Sequence, residues 1–346
     1  MHVCFLMYPW ERIDPEWDST LRLIHECAKR DHFIAITSPN NLTIRKSASY
    51  AFCKVLKKNS KISASAPNFY KKAQFTEKML PMSGFDVIFM RDNPPLDPVM
   101  LNFLDSVQKD TFIINSVEGL RKANNKLYPA SFYDPKNEII PATHVSKNKD
   151  YLKRVIEESE TDKMILKPFD GYGGKGVIIL EKDAKHNVNS LLDFYINQND
   201  KHQYVILQEY IEGAEKGDVR VLMLNGEPIG AMKRVPSPDD LRSNIHIGGK
   251  AVKHVLSKKE KEICSRIGQK LREDGLYFVG LDIINDKLIE VNVCSPGGIS
   301  RINQLNRTKL QVKIIDFCEK VASHNSTELE RKRAIKKELE DAKAFD

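Results

Sequence analysis

Gly171, Gly173, Gly174 and Gly176 crowd into one short stretch beside two lysines. Residues Ile165–Leu180 read ILKPFDGYGGKGVIIL, with apolar runs on both sides of the glycines. A hairpin tipped by glycines can lay its backbone N–H groups against phosphate oxygens, because no Cβ blocks the approach. Lys167 at the entry and Lys175 inside the loop place cations beside the same phosphates. The GxxxxGK[ST] spacing of a P-loop is absent. The loop lies between two strand-like runs, far from a first βα turn, so it is no Rossmann turn either. A plain flexible turn has the same composition, and the loop alone does not decide between the two.

A second group raises the odds of nucleotide chemistry. Asp282 ends one apolar run, and Glu290 and Asn292 lie on the next. Being two apart on a strand, Glu290 and Asn292 point to one face. The short turn Asn285-Asp286-Lys287 lets Asp282 fall beside them. Two carboxylates and an amide oxygen against an LYFVGLDII core are costly to bury unpaired. Hard divalent cations need such oxygen ligands, and Mg²⁺ commonly takes one or two carboxylates plus phosphates. A carboxylate salt-bridged to a lysine is the competing reading; the glycine loop upstream favours the metal.

Arg220, Arg234 and Arg242 form a third group. Arg220 alone is an ordinary strand-surface charge. Near a nucleotide and a metal, the three read as clamps for carboxylates or a developing acyl phosphate. The polar run SPDDLRSNIHIGGKA holds Arg242, Asn244 and His246 and reads as a lid over substrates. His246 is read as structural or substrate-positioning ahead of a base.

These groups need a frame. HVCFLMY reads as a buried strand and DSTLRLIHECAKRDH as an amphipathic helix capped near Asp18 or Ser19. FIAIT, FDVIFMR and TFIIN are three further strands; DNPPLD is a stop, and PVMLNFLDSVQKD a helix. Strands alternating with helices predict a mostly parallel, open α/β sheet over residues 1–120, its strand ends facing a ligand crevice. The basic run KVLKKNSKISASAPNFYKK (54–72) reads as a solvated loop. From about residue 121 the grammar changes. GLRKANNKLYPASF is a helical connector, and MILKPF and GVIIL flank the glycine loop as a hairpin. YVILQEYI and the two arms around NGEP are strands, SKKEKEICSRIGQKLREDG is a helix ended by Gly275, and two more strands flank the Asn285 turn. The charged end ELERKRAIKKELEDAKAFD reads as a solvated helix or a frayed tail.

Length and composition set outer bounds. The 346 residues, 41% of them hydrophobic, suit two or three packed units. No run reaches the ~18 apolar residues that span a bilayer, and the first residues are too acidic and interrupted for a secretory signal. A soluble, cytoplasmic protein with no membrane partner is expected. Cys4, Cys27, Cys53, Cys264, Cys294 and Cys318 are scattered singly, which argues against zinc and structural disulfides. Cys27 and Cys318 are expected as buried thiols. A net charge of +7 suits an anionic small molecule or nucleic acid. The cations form no stripe interleaved with aromatics, so no nucleic-acid partner is expected.

With these motifs in hand, residues 1 to about 320 resemble bacterial (prokaryotic-type) glutathione synthetase, of the ATP-grasp superfamily. The segments that carry the resemblance are FDVIFMRDNPPLD, LRKANNKLY, ILKPFDGYGGKGV, QEYIEG, GDVRVLMLNGEP, RSNIHIGG and GLYFVGLDIINDKLIEVNVCSP. The resemblance implies an open parallel α/β domain (1–120), then an ATP-grasp fold of two α+β subdomains clamping ATP. These would be 121–205 with the glycine hairpin and 206–322 with the lid and metal site, followed by a charged helix or tail over 323–346. It implies ATP, magnesium or manganese, and a ligation through an acyl phosphate. γ-Glutamylcysteine and glycine would be the small-molecule substrates, and the assembly a homo-oligomer, tetramer or dimer.

By motif position, the resemblance assigns Lys126 and Lys167 to the ATP phosphates, alongside Gly171, Gly173, Gly174 and Lys175. Gln208, Glu209, Tyr210 and Ile211 would flank adenine. Asp282, Glu290 and Asn292 would hold the metal, and Arg220, Arg234 and Arg242 would stabilise the transferring phosphoryl group. Asn244, Ser295, Gly297, Gly298 and Arg301 would bind substrate. The chain also departs from the family. Its lid reads LRSNIHIGG where the family has a TRGNLAAGG-like run, closer to the ribosomal-protein glutamate ligases of the same superfamily. NVCSPGGISR stands where the family has NVTSPTGIRE, so Cys294, Gly297 and Ser300 are replacements and Arg301 comes one position late. A ligase for another amino acid or peptide is therefore the alternative. A silent ATP-binding module is a third reading, disfavoured by the retained Lys126, Lys167, Asp282, Glu290 and Asn292.

Overall fold

A computed structural model describes residues 1–58, 62–169, 176–182, 185–198, 201–237 and 249–343. The chain divides into two compact units, one of Met1–Asp92, Asp97–Val117 and Lys309–Asp346, the other of Asn93–Leu96 and Glu118–Thr308.

The first unit is built on β1 (His2–Met7), α1 (Ser19–Lys29), β2 (Phe33–Thr37), β3 (Leu42–Arg45), β4 (Ala48–Leu56), α2 (Ala66–Lys72), β5 (Phe75–Pro81), β6 (Val87–Arg91), α3 (Pro98–Asp105) and β7 (Phe112–Ile114). The C-terminal helix (Leu310–Lys343) joins it. Continuous apolar runs make central strands covered on both faces: Val3–Met7 and Val87–Arg91 are buried throughout, and the rings of Phe5 and Phe89 stack 4.9 Å apart. Asp18 caps α1 by accepting the Leu21 N–H at 2.7 Å. The outer side of α1 is tied to the C-terminal helix through Arg30, whose guanidinium meets Asp316 at 2.7 Å and Glu319 at 2.8 Å. Cys27 and Cys318 are fully buried, and all six cysteines are free thiols.

Two expectations need correction here. The seven-stranded sheet, ordered β3-β4-β2-β1-β6-β7 with β5 also on β4, is parallel only over β2-β1-β6-β7. Strands β3, β4 and β5 add antiparallel pairings. The basic run 54–72 is likewise no continuous loop. It begins in β4 and ends in α2, which is capped by Ser65 and opened by Pro67.

The second unit opens with two short helices, α4 (Val117–Ala123) and α5 (Leu127–Ala130), where the connector is expected. It continues with β8 (Thr143–Ser146), α6 (Lys149–Glu158), β9 (Lys163–Pro168), β10 (Ile178–Glu181), α7 (Lys185–Ile196) and a small hairpin of β11 (Asn197–Gln198) and β12 (Lys201–His202). Next come β13 (Val205–Glu209), β14 (Asp218–Leu224), β15 (Glu227–Val235), β16 (Lys250–Lys253), α8 (Lys258–Glu273), β17 (Phe278–Ile284), β18 (Lys287–Asn292) and α9 (Ile299–Asn306). One sheet has the order β10-β9-β13-β8, the other β16-β15-β14-β17-β18. Leu152 and Ile156 of α6 and Leu192 of α7 bury against Leu166, Val205 and Leu207 of the first sheet. No described helix is long and apolar enough to cross a membrane.

Turn chemistry fixes the register of the second sheet. Asn225 and Gly226 (φ +49° and +79°) join β14 to β15, and Asn285 and Asp286 (φ +42° and +61°) join β17 to β18. Both pairs have the positive φ values that tight hairpins need. Gly226 also lets its turn press on α8: a Cβ on Gly268 would lie 2.0 Å from the Gly226 carbonyl oxygen. Alanine is the better helix former by about 0.5–1 kcal/mol. Gly268→Ala should nevertheless lower stability by about 2 kcal/mol, the scale of an overpacked contact. Denaturant unfolding checks it, and a gain in stability would show that the turn moves freely.

Candidate active site

One row of side chains crosses the five-stranded sheet. Arg220 on β14 stands opposite Asp282 on β17, and Asp282 stands opposite Glu290 on β18. Arg220 grips Asp282 with both ends of its fork, Nε to Oδ1 at 2.5 Å and Nη2 to Oδ2 at 2.9 Å. Arg234 Nη2 reaches Asp282 Oδ2 at 3.0 Å and is itself held by Asp218, Nε to Oδ1 at 2.6 Å. The Asn292 amide donates to Asp282 Oδ2 at 3.1 Å, which leaves its own oxygen as an acceptor. Gly280 makes room for the row: a Cβ there would sit 3.3 Å from Arg220 Cδ. The turn after β18 closes it, with the Gly297 carbonyl accepting from Arg220 Nη1 at 3.3 Å.

Charge is divided unevenly along this row. Burial alone would raise the carboxyl of Asp282, but Arg220 and Arg234 together hold it well below the usual carboxylate range. Glu290 is raised, first by burial and then by the charge of Asp282. Among the described residues, no hydrogen bond or ion pair forms to the Glu290 carboxylate. Asp282 is thus already neutralised by arginines rather than by the lysine of the competing reading, while Glu290 is held by no direct bond among the described residues and lies in the fields of Lys126 and Lys167. Together with the Asp282 and Asn292 oxygens, it fits a hard divalent cation bound through oxygen.

The four-stranded sheet contributes a cation chain. Lys167 Nζ donates to Gln208 Oε1 at 2.6 Å, and Gln208 Nε2 donates to Thr143 Oγ1 at 2.8 Å. The Thr143 hydroxyl in turn donates to the Pro141 carbonyl at 2.7 Å. Lys167 is lowered to about 8, by burial first; Glu290 opposes this and the charge of Lys126 adds to it. Lys126, Lys167 and Glu290 therefore lie within reach of one another's fields. Gln208 holds Lys167 with its side chain, so any contact from this position to a base would come from the backbone. Glu209 accepts the Ala142 N–H at 3.2 Å, and Tyr210 and Ile211 follow where the chain leaves β13.

The remaining expected site residues divide into two sets. Ser295, Gly297 and Gly298 form the turn before α9, with Gly298 at φ +125° on its N-cap, and Arg301 lies in the first turn of that helix. Gly171, Gly173, Gly174, Lys175, Arg242 and Asn244, with His246, lie outside the described residues. The frame of the glycine hairpin is seen: β9 and β10 pair antiparallel, Leu166 opposite Ile178. Tyr195 donates its hydroxyl to the Gly176 carbonyl at 2.8 Å. Thr143, Asp218 and Gly280 belong to the site but are absent from the sequence reading. Asp218 had a signal, because the NG turn that joins β14 to β15 sets it opposite Arg234.

Two models of one protein family match nearly the whole of residues 1–307. The model of the prokaryotic glutathione synthetase ATP-grasp domain matches residues 125–307, and that of the same family's N-terminal domain matches residues 1–121. The chain belongs to the prokaryotic glutathione synthetase family. Glutathione synthetases of Nostoc sp. and Gloeobacter violaceus are 32% and 33% identical to it over 92% of this chain, covering 98% and 96% of their own lengths. Solved structures agree on the fold. D-cycloserine synthetase DcsG has a TM-score of 0.62 at 14% identity, covering 93% of this chain and 99% of its own. An ATP-grasp RimK domain protein from Sphaerobacter thermophilus has a TM-score of 0.60 at 14% identity, covering 92% and 99%. At such identity the likeness speaks for the ATP-grasp architecture alone. The glutathione synthetase family match, by contrast, takes in both units of the chain.

Proposed function

We propose that the Arg220–Asp282–Glu290 row is the phosphoryl-transfer end of a site that activates the C-terminal carboxylate of γ-glutamylcysteine. The chain is an ATP-dependent ligase that joins this dipeptide to glycine, giving glutathione, ADP and phosphate. The observation that carries the residue assignment is Glu290, a carboxylate beside Asp282 and Asn292 with no hydrogen bond or ion pair among the described residues. These three would hold a divalent cation, magnesium in this reading with manganese as the alternative. When bound, it would offset the phosphate charge of the nucleotide.

The chain's own residues do the rest by position and charge. Lys126 and Lys167 hold phosphates, with the N–H groups of Gly171, Gly173 and Gly174 and the cation of Lys175. Residues 208–211 flank adenine through their backbone. Arg220 and Arg234, already fixed by Asp282 and Asp218, face the charge that develops on the moving phosphoryl group without having to reorganise. Arg242 and Asn244 act from the lid, and Ser295, Gly297, Gly298 and Arg301 grip substrate carboxylates. A carboxylate oxygen of the dipeptide takes the γ-phosphoryl group as the bond to ADP breaks. The glycine amine then attacks the carbonyl carbon, loses a proton, and phosphate leaves with the C–O electron pair. No protein nucleophile is needed.

The carboxylate oxygens record this route. With ¹⁸O in the C-terminal carboxylate of γ-glutamylcysteine, one labelled oxygen should appear in inorganic phosphate. Label in AMP would mean adenylation and overturn the reading.

Lys167 ties nucleotide affinity to pH. Its free amine titrates at about 8, so below that pH it is charged before nucleotide arrives, and above it a proton must be taken up on binding. The dissociation constant for a non-hydrolysable ATP analogue should rise about tenfold from about pH 7 to about pH 9. Titration calorimetry checks this, and Lys167→Met should flatten the dependence. A flat profile in the unmodified protein would remove Lys167 from the phosphates.

The six free, buried thiols suit a reducing compartment, which supports a cytoplasmic location. The family resemblance supports a homo-oligomer, tetramer or dimer, which light scattering on the purified chain would measure.

A further inference from the structure

One carboxylate, that of Asp274, bonds the segment that carries Lys126 on both sides of it. Helices α4 and α5 have seven and four residues, too few to keep a conformation by themselves. Lys122, four residues before Lys126, donates Nζ to Asp274 Oδ1 at 2.6 Å. Tyr128, two residues after it, donates its hydroxyl to Asp274 Oδ2 at 2.7 Å. Lys270, in the last turn of α8, donates to Oδ1 at 2.8 Å and pins the carboxylate from below. The Asp274 side chain is only 8% exposed, while Lys122 and Lys270 reach it from the surface, 51% and 40% exposed. Burial pushes its carboxyl up, but Lys122, Lys270 and Tyr128 outweigh burial and hold it below the usual range. A further tie comes from the site itself: the Cys294 thiol donates to Asn124 Oδ1 at 3.0 Å.

Lys126 thus sits on a short span clamped on both sides by the same group. The bonds of Asp274 to Lys122, Tyr128 and Lys270 involve no member of the phosphoryl-transfer row. Its bonds bracket Lys126, which approaches the site from a loop rather than from a sheet. We propose that Asp274 is a positioning residue for nucleotide binding, acting through Lys122 and Tyr128 to hold Lys126 against the ATP phosphates. The inference rests on the reading of Lys126 as a phosphate ligand.

A double-mutant cycle separates the two ideas. Michaelis constants for ATP are measured for the unmodified enzyme, Lys126→Ala, Asp274→Ala and the double variant, with Tyr128→Phe as a milder probe that removes one hydroxyl. Asp274→Ala should raise the constant for ATP about tenfold, the scale of a misplaced binding group, and leave that for the dipeptide within about twofold. In the Lys126→Ala background the same change should add less than about twofold, because the group it positions is gone. Tyr128→Phe should give a smaller rise of the same kind, and it carries the test if Asp274→Ala fails to fold. Equal penalties in both backgrounds, or no rise in either single variant of the clamp, overturn the positioning role while leaving Lys126 on the phosphates. No effect of Lys126→Ala itself overturns the phosphate reading and the positioning role together.

Discussion

Glu290→Gln should cut turnover about a thousandfold or more and leave the fold standing, slightly more stable than before. The change keeps the shape and removes one charge. Asp282 has its charge already matched by Arg220 and Arg234, with Asp218 behind Arg234, so in the proposed site Glu290 is the carboxylate not bonded by an arginine and would be the anion that draws a cation into the row. Losing a preorganised electrostatic element of this kind typically costs a hundredfold to a thousandfold, and here the metal leaves with it. The stability sign follows from the titration. A raised carboxyl is disfavoured in its charged form by the folded state, so near neutral pH Glu290 subtracts from stability. Removing the charge relieves that penalty. Turnover at fixed magnesium and a melting curve check both halves; near-normal turnover at the same magnesium concentration would take the metal away from Glu290.

The second large effect is structural as well as catalytic. Arg220→Ala strips Asp282 of its bidentate partner in a place where Asp282 is 5% exposed. Breaking a buried pair by deleting one partner costs about 3–5 kcal/mol, because a charge is left behind without compensation. Arg234 still reaches Asp282, so a loss of about 3 kcal/mol is expected, with turnover abolished. The pair variant Arg220→Met with Asp282→Leu should recover most of the stability and none of the activity. If Arg220→Ala unfolded at the same denaturant concentration as the unmodified protein, the row would not be held by this pair.

Much of the frame was legible because its signals are local. Continuous apolar runs mark β1, β2 and β6, and Asp18 and Gly275 mark helix ends where the structure has them. Strands β3 to β5 were harder to read. In β4 the inward residues Ser49, Ala51, Cys53 and Val55 alternate with Tyr50, Phe52, Lys54 and Leu56. Small and polar inward residues blur the period of two, and the lysines that follow suggest a loop.

The site divides along the same line. Asp282, Glu290 and Asn292 come together because a tight turn fixes the register of adjacent strands, which sequence spacing can reveal. Arg220 meets Asp282 across 62 positions of chain, and Lys122 meets Asp274 across 152. Such pairings depend on how the sheet and α8 pack, and no spacing rule encodes them. The same distance hides the role of Gly280, whose missing side chain matters only because Arg220 lies over it.

The central claim is that this site couples ATP cleavage to joining γ-glutamylcysteine with glycine. Phosphate release measured with ATP and magnesium, against a panel of acceptor peptides and amines, tests it most directly. The account predicts full release only when γ-glutamylcysteine and glycine are both present, one phosphate per tripeptide formed. The turn at Ser295–Gly298 and Arg301, which departs from the family pattern, should accept glycine in preference to larger amines. Efficient release with glutamate or another amine while glycine is ignored would contradict the glutathione reading, and would point to a ligase of the same architecture with a different acceptor.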